Sequence, residues 1–133
     1  MIAAIADTHA IIWYLSDDPR LSQNAAAAFD RARSQGEDIG VSTISLVEMD
    51  YLIEKKKIPV GVYQQLLQEL ADSTSLFKAL DLGREVAAAV NNIPRASIPD
   101  MPDRIIAATA LHLSVPLISR DTKVQISSIK TIW

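Results

Sequence analysis

The sequence predicts one α/β domain with a mostly parallel central sheet, and three observations carry that expectation. Short apolar runs of strand length alternate with longer segments whose apolar residues recur at helical spacing. At 133 residues, the chain has the size of one ordinary domain. Hydrophobic residues make up 49% and charged residues 22%, which is globular rather than disordered composition.

Residues 2–6 form an apolar run ending at Asp7, as a buried strand of a parallel sheet does. Ala10, Ile11, Trp13, Tyr14 and Leu15 predict a helix that ends near the breaker Ser16-Asp17-Asp18-Pro19. A second, alanine-rich helix is expected from Leu21 or Ser22 to Arg33, stopped by Gln35-Gly36. Residues 39–42 read as the second strand, followed by a helix from Thr43 or Ser45 to about Lys56, halted by Ile58-Pro59. Val62, Leu66, Leu67 and Leu70 then lie on one stripe of a fourth helix. Residues 76–80 are expected as a strand, 82–90 as a helix, and 91–102, with three prolines, as a loop. The helix over about 101–113 is the clearest in the chain. Residues 115–119 read as a strand, Asp121 opens a turn or short helix, and 129–133 read as a last strand. No repeat, linker or low-complexity tract divides the pattern, so one domain over 1–133 is expected.

Composition removes several chemistries. The chain has no cysteine, which excludes disulfides, thiolate metal sites and cysteine nucleophiles. His9 and His112 stand far apart with no accompanying ligand motif, which speaks against zinc. The apolar start lacks a basic leader, and no stretch approaches the roughly 18–20 apolar residues that span a bilayer. A soluble, cytoplasmic protein with no membrane partner is expected. The net charge of −3 argues against broad electrostatic capture of nucleic acid. That objection weakens if four of the 16 acidic residues surround a divalent cation, because 12 then face 13 basic ones.

The carboxylates point to such a cation. In parallel α/β sheets, ligands bind beyond the carboxyl ends of the strands. Asp7 and Asp121 both follow predicted strands, and Asp103 opens a helix that leads to the same edge in a doubly wound topology. Glu48 shares a helix face with Ile44, Tyr51 and Leu52, which places it on the inward stripe. A lone buried carboxylate costs on the order of several kcal/mol, so it takes up a proton or finds a cation. Simpler roles stand beside these. Asp100 and Asp103 pair as helix cap and first-turn acid, Asp121 caps a turn, and Asp7 caps a helix beginning near Thr8. Four convergent carboxylates would repel strongly, by about 4 kcal/mol for each pair roughly 4 Å apart at an effective dielectric near 20. Hard oxygen ligands in that number suit Mg²⁺ or Mn²⁺, and a phosphodiester suits the ion.

Four segments carry a family resemblance. Asp7-Thr8-His9-Ala10-Ile11-Ile12-Trp13, followed by Asp17-Asp18-Pro19-Arg20-Leu21-Ser22, resembles the opening of PIN-domain toxins of the VapC type. Val41-Ser42-Thr43-Ile44-Ser45-Leu46-Val47-Glu48 is similar to the family's strand-then-helix segment with its glutamate. Pro102-Asp103-Arg104-Ile105-Ile106-Ala107-Ala108-Thr109-Ala110 resembles the third acidic motif, and Leu117-Ile118-Ser119-Arg120-Asp121 the fourth. The resemblance spans essentially the whole chain, including the terminal Ile132-Trp133.

It implies a PIN-like three-layer α/β/α domain and a metal-dependent endoribonuclease using Mg²⁺ or Mn²⁺. Asp7, Glu48, Asp103 and Asp121 would be its metal ligands. It also implies an RNA substrate, a homodimer, and a cognate antitoxin whose tail occludes the acidic groove. Ser119 occupies the position of a hydroxyl beside the last acid, Asp100 resembles a loop acid, and Thr8 would hold water, phosphate or a helix cap. Arg120 would meet substrate or offset nearby negative charge. The Lys55-Lys56-Lys57 run reads as a solvated helix end more than as an RNA contact. Trp13, Tyr14 and Trp133 read as core or dimer residues, with base stacking the minor alternative.

Two rivals fail on residues. A haloacid-dehalogenase-like phosphatase needs an acid two positions after the first aspartate, where this chain has His9, and a receiver domain needs an acidic pair after the first strand. A PIN-like module that binds RNA or protein without cleaving remains as the alternative.

Overall fold

The computed structural model describes residues 1–121 and 129–133. Five strands, β1 (Ile2–Ala6), β2 (Asp38–Ser42), β3 (Phe77–Leu80), β4 (Leu117–Ile118) and β5 (Thr131–Ile132), form one sheet in the order β3-β2-β1-β4-β5. Every neighbouring pair is parallel. From β1 the chain builds outward to β3 on one side, then restarts with β4 on the other. The direction of winding therefore reverses between β1 and β4, and a crevice opens there at the strands' carboxyl ends.

The described helices are α1 (Thr8–Leu15), α2 (Gln23–Ser34), α3 (Thr43–Glu54), α4 (Val60–Ala71), α5 (Arg84–Ala89) and α6 (Met101–Leu113). They cover both faces of the sheet, and strand alternation divides the core accordingly. Ala4 and Ala6 of β1 face the layer of α1, α2 and α4, where Phe29, Leu66 and Phe77 are fully buried. Ile5, between them, faces α5 and α6 with Ile98, Ile106 and Leu117. Ala107, Ala108 and Ala110 are fully buried, so α6 lies close against the sheet. The result is the expected α/β/α sandwich on a parallel sheet.

Several boundaries differ from the expected ones for identifiable reasons. Strand β4 spans two residues because Pro116 has no N–H to donate; its carbonyl accepts from Ile5 N at 2.9 Å and regular pairing starts at Leu117. The stretch expected as loop contains a 3-10 turn, Val90–Asn92, and buries Ile93 and Ile98 almost completely. Arg104 fastens it by donating from Nη2 to the carbonyls of Val90 and Ile93, at 3.2 and 3.1 Å. Helix α3 follows β2 without a connecting loop, which fixes its rotation. Its inward positions are Ser45 and Met49; Glu48 lies half-buried beside them and Tyr51, expected inward, is 59% exposed. The turn or short helix expected after Asp121 lies outside the described residues.

Candidate active site

Asp7 leaves the end of β1 at the winding switch. Its N–H donates to the Ile118 carbonyl of β4 at 3.0 Å, which ties the crevice's two walls together. Its carboxylate caps α1, accepting from Ala10 N at 2.8 Å. The capping role and a site role thus coexist in one side chain. Ser119, buried just beyond β4, hydrogen-bonds the Asp7 carboxylate, and its Oγ accepts from Asp121 N at 3.1 Å. One hydroxyl therefore links two of the four acids.

Glu48 is held from α1. Thr8 Oγ1 lies 2.5 Å from Glu48 Oε1 and 2.9 Å from Ser45 Oγ. A hydroxyl has one proton, so Thr8 donates to the carboxylate and accepts from Ser45. Asp103 sits in the first turn of α6, where the helix dipole favours negative charge, and Asp100 caps the helix through a long 3.4 Å contact from Asp103 N.

Asp7, His9, Trp13, Asp103, Arg120 and Asp121 line a cleft of about 370 Å³. Glu48 lines the adjoining hollow of about 360 Å³ with Tyr51, Leu52, Lys55, Lys57 and Pro102. The structure thus brings Asp7, Asp103 and Asp121 to one cleft and sets Glu48 at its flank. As placed, no three His, Asp or Glu side chains among the described residues share a single metal-sized sphere.

The acids nonetheless act on one another. Burial, then Asp100, Glu48, Asp7 and Asp121, push the Asp103 pKa up from 3.8 to about 7. Burial also raises Asp7, against the lowering effects of Ser119, the Ala10 N–H and His9. Glu48 rises through burial, opposed by its Thr8 hydrogen bond and reinforced by Asp100 and Asp7. Asp103 is the point at which the whole acidic set converges electrostatically.

Two participants escaped the sequence reading. Ser45 stands one helical turn before Glu48, a spacing that puts both on one face. Trp13, expected as a core or dimer residue with base stacking the minor alternative, is only 3% exposed, yet it lines the cleft, four residues after His9. His112 lies away from the cleft, beside α5.

A parallel, doubly wound sheet with acids at its switch point defines a class, and residues 4–129 match the PIN domain: the chain belongs to the PIN-domain family. It is 27% identical over 126 residues to ribonuclease VapC22 of Mycobacterium tuberculosis (strain ATCC 25618 / H37Rv), covering 94% of this chain and 92% of that one. In fold it is similar to VapBC2 from Rickettsia felis, solved bound to a DNA fragment from their promoter (TM-score 0.72, 17% identity, 98% and 97% of the two chains). FitAcB from Neisseria gonorrhoeae is also similar (TM-score 0.64, 23% identity, 96% and 95%). So is a toxin-antitoxin complex from Klebsiella pneumoniae (TM-score 0.63, 23% identity, 95% and 94%).

Proposed function

We propose that this chain is a cytoplasmic, Mg²⁺- or Mn²⁺-dependent endoribonuclease, the toxin of a toxin–antitoxin pair, acting as a homodimer and restrained by a cognate antitoxin. The observation that carries this is the Asp103 carboxyl, pushed to about 7 by burial and then by surrounding carboxylates, in a cleft at the sheet's switch point. The ribonuclease among its relatives and the toxin-antitoxin complexes among its fold neighbours support the same reading. No helix of the described residues is long and apolar enough to cross a membrane.

The donor set fits a hydrated divalent ion. Magnesium keeps several waters and needs only one or two direct carboxylates, so acids spread along cleft walls suit it better than a closed cage would. Asp7 and Asp103 would hold it, with Asp121 and Glu48 on its waters or on a second ion. Bound there, the ion supplies charge neutralisation for the phosphate and acidifies the attacking water.

The chain's own groups do the rest. Ser119 aims Asp7 by donating to it and opposes the upward pull of burial on its pKa, and Thr8, backed by Ser45, does so for Glu48. Asp103 Oδ holds or releases a proton near neutrality, where its pKa lies.

The test is cleavage of structured RNA by purified protein with Mg²⁺ or Mn²⁺, against Asp7→Asn and EDTA controls. Cleavage by wild type alone supports the enzyme, whereas binding without cleavage would make it an idle module. Growth arrest on expression, relieved by Asp103→Asn, tests the toxin role.

A further inference from the structure

The Trp13 ring meets two guanidinium groups of different character. The Arg20 carbon lies 4.9 Å and the Arg120 carbon 4.7 Å from its centroid, both within cation–π range. Arg20 is already closed by its own carboxylate: Nε and Nη2 donate to the two Asp18 oxygens at 3.0 and 2.7 Å. Arg120 is exposed and, among the described residues, makes no ion pair. Among the described residues it forms no salt bridge although it lines the cleft with Asp7, Asp103 and Asp121. A guanidinium amid carboxylates ordinarily folds onto one of them. Here it lies over the indole instead, and among the described residues no carboxylate closes its planar fork of donors.

An open fork suits a phosphate, which it can grip with two parallel N–H donors. The need for one is electrostatic. Three carboxylates line this cleft and would repel an RNA backbone wherever a metal ion did not mask them. Among the described lining residues, Arg120 is the permanent cation. We propose that Arg120, steadied on Trp13, is a substrate-binding residue that grips a backbone phosphate of RNA at the rim of the acidic cleft. Trp13 is then a positioning residue acting through Arg120. The inference rests on the nuclease reading and assigns it a phosphate subsite.

The test separates the two. Fluorescein-labelled bulk RNA is titrated at several salt concentrations with Asp7→Asn protein, which abolishes cleavage and part of the repulsion. The same titration is run with Arg120→Ala, Arg120→Lys or Arg84→Ala added, Arg84 being an exposed cation on α5 outside the cleft. In parallel, Mn²⁺ binding without RNA is measured for wild type, Asp103→Asn and Arg120→Ala.

Arg120→Ala should weaken RNA binding about tenfold and flatten the salt dependence by about one charge. Arg120→Lys should keep the slope and recover part of the affinity, and Arg84→Ala should change little. Trp13→Phe, which keeps a ring, should weaken binding less and add no loss once Arg120 is alanine; a merely structural role would add. Mn²⁺ binding should survive Arg120→Ala and fail in Asp103→Asn. RNA binding indifferent to Arg120→Ala, an equal loss in Arg84→Ala, or no binding by the Asp7→Asn protein overturns the phosphate grip. Loss of Mn²⁺ binding in Arg120→Ala also overturns it, because Arg120 would then be organising the acids. Failure of wild type to bind Mn²⁺ instead removes the nuclease reading.

Discussion

Asp103 concentrates the conflict of the site in one carboxyl. Its folded pKa of about 7 lies above the ordinary 3.8 because burial and four neighbouring acids oppose its charge. The folded chain therefore binds this proton more tightly than the unfolded one. Its contribution to stability is fully present below about pH 4 and is lost as pH rises through about 7. Asp103→Asn should abolish cleavage yet raise the melting temperature of metal-free protein at about pH 8. The group is half-exposed, so after solvent screening the gain is on the order of 1–2 kcal/mol rather than the full shift. Calorimetry in EDTA checks it, and an unchanged or lower melting point would refute the crowding. Thr8 carries the reciprocal case. Thr8→Val leaves Glu48 without its 2.5 Å donor and should lower the cleavage rate about tenfold, while Thr8→Ser should retain it.

Gly40, at the middle of β2, sets how closely three strands pack. A Cβ there would meet Ile5 Cδ1 at 2.5 Å and Leu80 Cδ1 at 2.6 Å, side chains from both flanking strands. Gly40→Ala should destabilise the fold by about 1–3 kcal/mol, read by chemical denaturation, with little change in cleavage per folded molecule. The sequence marks this glycine only as part of a strand; what fills its space comes from residues far away in the chain. The same division runs through the other elements. Helix starts at Asp7, Ser22 and Asp100 were readable because capping is local chemistry: each accepts from an N–H three residues on. The rotation of α3 was not, because its direct junction with β2, rather than its own periodicity, turns Ser45 and Met49 inward and leaves Tyr51 outside. Asp7, Asp103 and Asp121 were placed in one crevice by their positions at strand and helix ends. That Glu48 would sit in the neighbouring hollow required the observed packing of α3 against α6.

Over the whole molecule, the acids belong to the junction of β1 and α1, to α3, to α6 and to the segment after β4, so they meet only when the sheet is assembled. An ion held by them would bind the folded chain and not the unfolded one, and would stabilise it by mass action, by about 2.7 kcal/mol at a concentration 100 times its dissociation constant. Protons compete for the same carboxyl: Asp103 binds one below about pH 7 and releases it above. Metal affinity should therefore rise with pH across that range, while the metal-free protein loses stability over the same range. The two trends diverge, so the increase in melting temperature produced by Mn²⁺ should be small near pH 5.5 and large near pH 8. Asp103→Asn should shrink that increase at both, having given up the ligand along with the repulsion. Melting curves with and without Mn²⁺ across this range decide the matter. A wild-type melting point indifferent to Mn²⁺ near pH 8 would mean that the carboxylates crowd the crevice for some reason other than a cation.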